Sequence, residues 1–191
     1  MTAASMRKSV AARRKQPERV EVRYREIATP VGSFVLMEDA AGHLQAHWGE
    51  GEWTGAKGEV SLRRDRSLRG ELTRKLERYF AGDARVDFGN VATPDGPEFY
   101  HACWRACRTI PAGQTWTYVD LAEAGGRLLE RGGRAAVRAA GQAMRNNRLP
   151  VIVPCHRVVS EGGIGGYGGS MDPDSAGLRI KKWLLGLEGA I

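Results

Sequence analysis

The sequence predicts an α/β domain with a small antiparallel sheet and one helix, followed by a mainly α domain that contains a winged helix-turn-helix. Three observations lead to this fold class. Strand-like segments lie before residue 50, one amphipathic helical pattern covers 67–80, and several shorter helical patterns follow residue 98. We place the α/β domain at residues 20–93 and the helical domain at residues 94–191, with residues 1–19 as a basic, disordered tail.

The first predicted element is an antiparallel meander of three short strands. Turns are predicted at Thr29-Pro30-Val31-Gly32 and in the loop 38–42, because proline, glycine and acidic residues commonly end strands. On either side of these turns, strand-like apolar segments lie at 22–28, 33–37 and 43–48.

A single helix over 67–80 completes the α/β domain. Ala81-Gly82-Asp83 ends its helical pattern. We expect a last short strand at 86–88 and then an interdomain linker at 91–97, where two prolines and a glycine lie close together. The apolar face of the helix is formed by Leu68, Leu72, Leu76, Tyr79 and Phe80.

The helical domain is predicted to begin and end with a helix. The first of these ends at Pro111-Ala112-Gly113, and the last covers 176–187. A glycine-rich loop at 162–169 precedes the last helix, and a short apolar run lies at 149–153. One face of the first helix carries Phe99, Cys103, Cys107 and Ile110.

Between these two helices the sequence predicts a helix-turn-helix. Its first helix, 118–124, begins at a cap formed by Thr117 and Asp120 and is interrupted by Gly125-Gly126, and its second, 134–146, is rich in alanine. A helical hairpin is common as simple packing, but a cluster of arginines makes DNA binding an equally strong interpretation. The arginines are Arg127, Arg131, Arg134, Arg138, Arg145 and Arg148, and the single acid among them is Glu130.

Charge and cysteine content limit the class of protein. Of the formal net charge of +7, residues 1–19 carry +5, residues 20–93 carry −1 and residues 94–191 carry +3. The tail is interpreted as a solvated extension or a weak nucleic-acid contact, with an organellar transit peptide as a weaker alternative. No apolar run approaches the roughly 18–20 residues of a membrane helix. Three cysteines without a secretory signal indicate a reducing compartment, the cytoplasm of a prokaryote or the nucleus of a eukaryote.

The cysteines divide into two structural residues and one reactive candidate. Cys103 and Cys107 are expected to be small buried apolar residues, since a metal site with His101 lacks a fourth ligand. The reactive candidate lies in Pro154-Cys155-His156-Arg157-Val158-Val159, where a base and a cation can lower the pKa of a thiol. In an extended segment, successive side chains point to opposite faces. A turn at Pro154 or a bridging water is therefore needed before His156 can act on Cys155.

Three blocks of the sequence share one family resemblance. They are the hexapeptide just described, residues 138–147 (Arg-Ala-Ala-Gly-Gln-Ala-Met-Arg-Asn-Asn) and residues 182–189 (Lys-Trp-Leu-Leu-Gly-Leu-Glu-Gly). The blocks resemble the active-site signature, the recognition helix with its asparagine hinge, and the C-terminal helix with its acid of the O6-alkylguanine-DNA alkyltransferases, also called methylated-DNA–protein-cysteine methyltransferases. The likeness is close across 94–191 and weaker over 20–93.

The resemblance implies that Cys155 is the acceptor of an alkyl group from O6-alkylguanine in double-stranded DNA. His156 acts as its base through a water molecule, and Glu188 orients His156. The nucleotide is flipped out first, with Arg138 filling the space that it leaves in the stack. The DNA-binding residues implied are Tyr118, which presses on a phosphate, Arg138, Ala139, Gly141, Met144 and Arg145. Those of the substrate pocket are Asn147, Pro154, Val159, Tyr167 and Gly168.

The chemistry of the acceptor predicts a protein that acts once. A thioether at Cys155 is not readily hydrolysed, and no second nucleophile is evident to remove the alkyl group. We expect no cofactor, no metal site and no membrane contact, and we expect the chain to act as a monomer. O4-alkylthymine in DNA is a second candidate substrate.

Two departures from the family pattern and two rival functions accompany this prediction. Gln142 stands where the family commonly has a small residue, and the segment 168–178 is longer than the family pattern predicts, which bears on the size of alkyl group accepted. A non-catalytic lesion-binding relative would lack the acceptor that Cys155 provides. A helix-turn-helix regulator switched by its thiol would ordinarily carry an added sensor domain.

Overall fold

A computed structural model describes residues 19–49, 53–54, 58–127 and 134–191 of the chain. The predicted basic tail lies outside this part apart from Arg19, and so do Glu130 and Arg131. None of the described helices is both long and apolar enough to cross a membrane. In chain order the elements are β1 Arg19–Thr29, β2 Gly32–Asp39, β3 Leu44–Trp48, β4 Glu59–Arg64, α1 Gly70–Phe80, α2 Glu98–Arg108, β5 Trp116–Thr117, α3 Tyr118–Arg127, α4 Arg134–Arg145, β6 Val158–Val159 and α5 Ala176–Leu187.

The N-terminal sheet has four strands in the order β3-β2-β1-β4. β1 pairs antiparallel with β2, and β2 with β3, which is the predicted meander. β4 pairs parallel with β1, with Glu59 opposite Arg19, so the sheet is mixed and the prediction of a purely antiparallel sheet is wrong. The sequence pattern does not reveal β4 because it is an edge strand without a fully buried residue, and its last residues are exposed and charged.

Helix α1 packs beside the sheet, and it begins three residues later than predicted. The Asp65 carboxylate accepts hydrogen bonds from the amide (2.9 Å) and the hydroxyl (2.6 Å) of Ser67, which form a turn where the apolar pattern predicts helix. The predicted strand at 86–88 is wrong. Val86 and Phe88 pack their side chains against the core from irregular backbone, and this gives strand-like alternation without a strand partner.

Helices α2, α3 and α4 pack against one another. α3 continues to Arg127, so the predicted interruption at Gly125-Gly126 is wrong. A Cβ atom on Gly125 would lie 3.0 Å from the sulfur of Cys103, so this glycine allows α3 to approach α2 closely. Both helices of the predicted helix-turn-helix are thus present and in contact. Their connection, residues 128–133, lies outside the described residues, and the winged form of the motif stays a prediction.

One continuous hydrophobic core joins the sheet, α1 and the C-terminal helices. Trp183 of α5 stacks on Phe80 of α1 (centroids 6.1 Å apart, planes at 27°) and meets the edge of Trp48 of β3. The amide of Ala46 in β3 donates to the carbonyl of Arg148 at 2.7 Å. The two halves of the chain are therefore in direct contact, and the domain boundaries stay a prediction. This packing places α1 against the segment that contains the hexapeptide.

Candidate active site

The segment before the candidate cysteine is a tight turn organised by Asn147. The side-chain oxygen of Asn147 accepts a hydrogen bond from the Leu149 amide (2.9 Å), and its Nδ2 donates to the Val153 carbonyl (2.9 Å). Val151 has a φ of +72°, a left-handed conformation that is rare for a β-branched residue. The predicted apolar run is therefore a buried turn, and the side chain of Asn147 fixes its shape.

Cys155, His156 and Arg157 form a single 3-10 turn directly after Pro154. The amide of Arg157 donates to the carbonyl of Pro154 at 2.9 Å, so the chain does turn at Pro154, one of the two conditions predicted for His156 to act on Cys155. The side chain of Cys155 is buried, and its Sγ accepts a hydrogen bond from Nδ2 of Asn147 at 3.1 Å. The same amide thus holds both the turn and the thiol.

Glu188 lies at the end of α5, where its carboxylate is fully buried and receives several donors. Oε1 accepts from Nη2 of Arg157 (2.8 Å) and faces Nε2 of His156 (2.9 Å), while Oε2 accepts from Nε of Arg157 (2.9 Å). The C-terminal end of a helix disfavours negative charge, so these donors are needed there. Burial raises the pKa of Glu188, but hydrogen bonds from His156 and Arg157 outweigh it and lower the pKa to about 2. Glu188 is ionised.

His156 is fully buried, and its surroundings favour the neutral ring. Burial lowers its pKa, and the hydrogen bond to Glu188 opposes this shift without reversing it. Because Glu188 is an ionised acceptor, we assign the ring proton to Nε2, which leaves the lone pair on Nδ1. Nδ1 is buried and has no hydrogen-bond partner among the described residues. His156 can therefore accept a proton through Nδ1 while Glu188 stabilises the charge that results.

Lys181 is a buried cation that sequence reasoning missed. It lies on α5 with no exposed surface, and its Nζ donates to the carbonyls of Val158 (2.6 Å) and Gly166 (3.2 Å). Burial lowers its pKa to about 8. A signal was available in the sequence, because Lys181 falls on the apolar face of the predicted helix, three residues after Leu178.

The electrostatics of the thiol are a balance between burial and nearby donors. Burial raises the pKa of Cys155, whereas the hydrogen bond from Asn147 and the positive charge of Lys181 act in the opposite direction. No described hydrogen bond joins Sγ to the ring of His156. The Cys155 thiol is therefore shielded from solvent, and its ionised form has a donor, Asn147, and a cation, Lys181, nearby. The base, His156, is the next residue in the same turn.

Tyr167 and the glycines after it form a β-hairpin turn beside this thiol. The amides of Tyr167 and Ser170 each donate to the other's carbonyl (3.0 and 3.1 Å), with Gly168 and Gly169 both at positive φ between them. The Tyr167 hydroxyl is buried, and burial together with the neighbouring Cys155 raises its pKa. Gly168 is exposed at the tip of the turn, so of the predicted pocket residues it lies at the rim.

The long segment after this hairpin is held by its own hydrogen bonds. Oδ1 of Asp172 accepts from the Asp174 amide (3.0 Å), and the Asp172 carbonyl accepts from the Ser175 hydroxyl (2.7 Å). In the hairpin turn before it, a Cβ atom on Gly169 would lie 3.3 Å from Nε of Arg145, so the turn lies beside this side chain of α4. It therefore joins the wall of the site to the predicted recognition helix.

Helix α4 separates the predicted DNA-contact residues into two faces. Arg138 and Arg145 are exposed on one side, seven residues apart, with the half-buried Ala139 and Gly141 beside them. Met144 lies on the opposite, buried face with Ala140 and is 7% exposed, because four residues bring it back to the packed side of the helix. Met144 therefore has a packing role, and its contact with DNA stays a prediction.

The remaining predicted residues lie near the thiol. Tyr118 begins α3, and burial with the nearby Cys155 raises its pKa. The predicted cap of α3 is confirmed: Oγ1 of Thr117 donates to Asp120 at 2.8 Å and accepts from its amide at 3.1 Å. Thr117 also pairs with Val159 in the short parallel β5–β6 ladder, which brings α3 next to the hexapeptide.

Cys103 and Cys107 are buried inside the helical core, as predicted. Burial raises the pKa of Cys103 to about 11 and raises that of Cys107 well above its ordinary value. His101 turns instead to Thr93, with Nδ1 and Oγ1 3.0 Å apart. Among the described residues, no group of three or more His, Cys, Asp or Glu side chains is placed to hold a metal ion.

Comparison with known proteins connects this geometry to one family. A family model described as "6-O-methylguanine DNA methyltransferase, DNA binding domain" matches residues 98–190. The chain is 33% identical over 167 residues to the methylated-DNA–protein-cysteine methyltransferase of Methanosarcina acetivorans, covering 87% of this chain and 98% of that protein.

Solved structures give the same result. A variant of the Mycobacterium tuberculosis O6-methylguanine methyltransferase has a TM-score of 0.67 and 31% identity, and the same organism's enzyme in complex with DNA has a TM-score of 0.66 and 30% identity. Each match covers 88% of this chain and 93% of the other. From the buried thiol, its neighbouring histidine and these similarities along most of the chain, we conclude that the protein belongs to the methylated-DNA–protein-cysteine methyltransferase family.

Proposed function

We propose that this protein repairs alkylated DNA by moving the alkyl group of O6-alkylguanine in double-stranded DNA to Cys155, once per molecule. The observation that carries the proposal is the buried Cys155 thiol, which has Asn147 and Lys181 beside it. The next residue, His156, is hydrogen-bonded to Glu188. The chain is proposed to act as a monomer. O4-alkylthymine in DNA is a second candidate substrate.

The reaction begins with removal of the thiol proton. Nδ1 of His156 accepts that proton through a bridging water, and Glu188 stabilises the imidazolium. Lys181 and the amide of Asn147 stabilise the thiolate. Sγ of Cys155 then forms a bond to the alkyl carbon while the bond from that carbon to O6 breaks. The electron pair of that bond goes to the guanine, which takes up the proton, so the products are a thioether and unmodified guanine.

The base must leave the helix before this step can occur. Cys155 is only 8% exposed, and an O6-alkyl group is stacked inside the duplex. Exposed Arg138 is the side chain proposed to enter the stack, while Tyr118 presses on the phosphate from the start of α3. The small residues Ala139 and Gly141 beside Arg138 permit close approach of the helix to a groove.

Single use follows from the stability of the thioether. The other two cysteines, Cys103 and Cys107, are buried with raised pKa values and are therefore poor nucleophiles toward an alkylated Cys155. The test is a titration in which a duplex with one O6-methylguanine is added in increasing excess over the protein. Repaired lesions are expected to level off at one per protein molecule, and a Cys155→Ser variant should bind the duplex but repair none. Repair that keeps rising with added duplex would overturn the proposal.

A further inference from the structure

Tyr79 of α1 brings a group from the N-terminal half into the site. Its side chain has no exposed surface, and its hydroxyl donates to Oε1 of Glu188 at 2.5 Å. The same hydroxyl lies 3.4 Å from Nε2 of His156. The contact joins the two halves of the chain. Glu188 lies within residues 98–190, the part that the family model matches, and Tyr79 lies outside it.

Three donors meet at one carboxylate oxygen. Oε1 of Glu188 receives the Tyr79 hydroxyl, Nε2 of His156 at 2.9 Å and Nη2 of Arg157 at 2.8 Å. A carboxylate oxygen has two lone pairs, so the three donors share its charge. Loss of one donor leaves more of that charge for the other two. Tyr79 therefore moderates the interaction between Glu188 and His156.

The ring of Tyr79 and its hydroxyl have separable roles. The ring packs edge-on against Phe80 and Phe88, with centroids 5.5 and 5.8 Å apart. A phenylalanine would keep these contacts and remove the hydroxyl alone. The ring accounts for the packing, whereas the hydroxyl lies among the Glu188 carboxylate, the His156 imidazole and the Arg157 guanidinium.

We propose that Tyr79 is a positioning residue for alkyl transfer, which holds Glu188 and sets how strongly that carboxylate supports His156 as a base. This inference rests on the proposed function, in which His156 takes the thiol proton. It gives the N-terminal half a part in the chemistry through a single hydroxyl, in addition to its part in the core.

The direction of the effect follows from the charges around His156. The groups that face it are Glu188, which favours the protonated ring, Arg157 and Lys181, which disfavour it, and the Tyr79 hydroxyl, which draws charge from Glu188. Removing that hydroxyl leaves Glu188 a stronger partner, so the pKa of His156 rises. A neutral His156 is needed as base. The pH below which transfer slows should therefore move upward.

The experiment compares wild type, Tyr79→Phe and a matched control, Tyr100→Phe, which removes a hydroxyl with no described hydrogen bond. Single-turnover transfer from free O6-benzylguanine is measured from pH 5 to pH 9, which avoids any effect on DNA binding. In parallel, the ¹⁵N resonances of the His156 ring are titrated by NMR. For Tyr79→Phe, the midpoints of both curves are expected to move to higher pH, and for Tyr100→Phe neither should move.

The outcomes separate this inference from the proposed function. A uniform loss of rate in Tyr79→Phe with unchanged midpoints would show a purely structural role and overturn the inference. If the wild type transfers no alkyl group either from O6-benzylguanine or from a duplex with O6-methylguanine, the proposed function fails, and the NMR titration still decides whether Tyr79 acts on His156. A further check uses Glu188→Gln, in which adding Tyr79→Phe should not move the His156 midpoint, since the carboxylate that connects them has been removed.

Discussion

The buried carboxylate of Glu188 makes a specific prediction about stability in acid. Its pKa is lowered from 4.5 to about 2, since the hydrogen bonds from His156 and Arg157 outweigh the effect of burial. At about 1.4 kcal/mol per tenfold change, this difference corresponds to about 3 kcal/mol of folding free energy from the ionised group. The sign follows from proton binding, because the unfolded chain binds the proton more tightly. The contribution is fully present above about pH 5 and is lost as the pH falls.

The perturbation is Glu188→Gln, which removes the ionisable group and keeps its size. At neutral pH the variant should be less stable than wild type by about 3–5 kcal/mol, because Arg157 keeps its buried charge without a counter-ion. Between pH 6 and pH 3 the wild type should lose about 2 kcal/mol that the variant does not lose. The gap between the two proteins therefore narrows by that amount.

Urea unfolding at a series of pH values measures this gap. Other carboxyls, including Asp39 and Asp65, also have lowered pKa values, but their contribution is common to both proteins and cancels in the difference. Glu161→Gln serves as the control, because Glu161 is exposed and has no described partner, and it should follow the wild type at every pH. A gap between wild type and Glu188→Gln that stays constant from pH 6 to pH 3 would refute the reasoning about Glu188.

Two further predictions concern the thiol and the DNA face. Lys181→Met should raise the pKa of Cys155, so the transfer rate from free O6-benzylguanine should rise with pH at a higher pH than in wild type. The control Lys182→Met changes an exposed lysine and should leave the pH profile of the rate unchanged. The same pH profile for Lys181→Met and wild type would exclude a role for Lys181. Arg138→Ala should slow repair of duplex DNA and spare transfer from free O6-benzylguanine, with exposed Arg74→Ala as control. If Arg138 is only a phosphate contact, its loss should instead weaken DNA binding and reduce the slope of log binding constant against log salt concentration by about one unit.

The parts of the fold that the sequence predicts well are those whose side chains repeat at a regular spacing. The bounds of α5, residues 176–187, and the three strands of the meander follow directly from apolar periodicity. β4 and the segment 86–88 show the limit of that signal. In the charged edge strand β4 only Val60 and Leu62 are apolar, too few to predict a strand, whereas apolar residues on irregular backbone can alternate without a strand.

Contacts between distant parts of the chain explain most of what the sequence did not predict in the site. Gly125 is a helix breaker by its propensity, but close packing on Cys103 decides its role. The hexapeptide identifies Cys155 and His156 locally. Lys181 and Tyr79 gain their roles only when α5 and α1 are packed against that segment. Each falls on an apolar helix face, and such a pattern by itself indicates only packing.

The central claim is that Cys155 receives the alkyl group, and peptide mass mapping tests it most directly. Wild-type protein is incubated with a duplex that contains one O6-methylguanine, digested, and compared with protein incubated with unmodified duplex. The peptide that contains Cys155 should gain the mass of one methylene, about 14 Da, while the peptides of Cys103 and Cys107 stay unchanged. A methyl group found on another residue, or loss of methyl from the DNA with no gain on any peptide, would contradict the account.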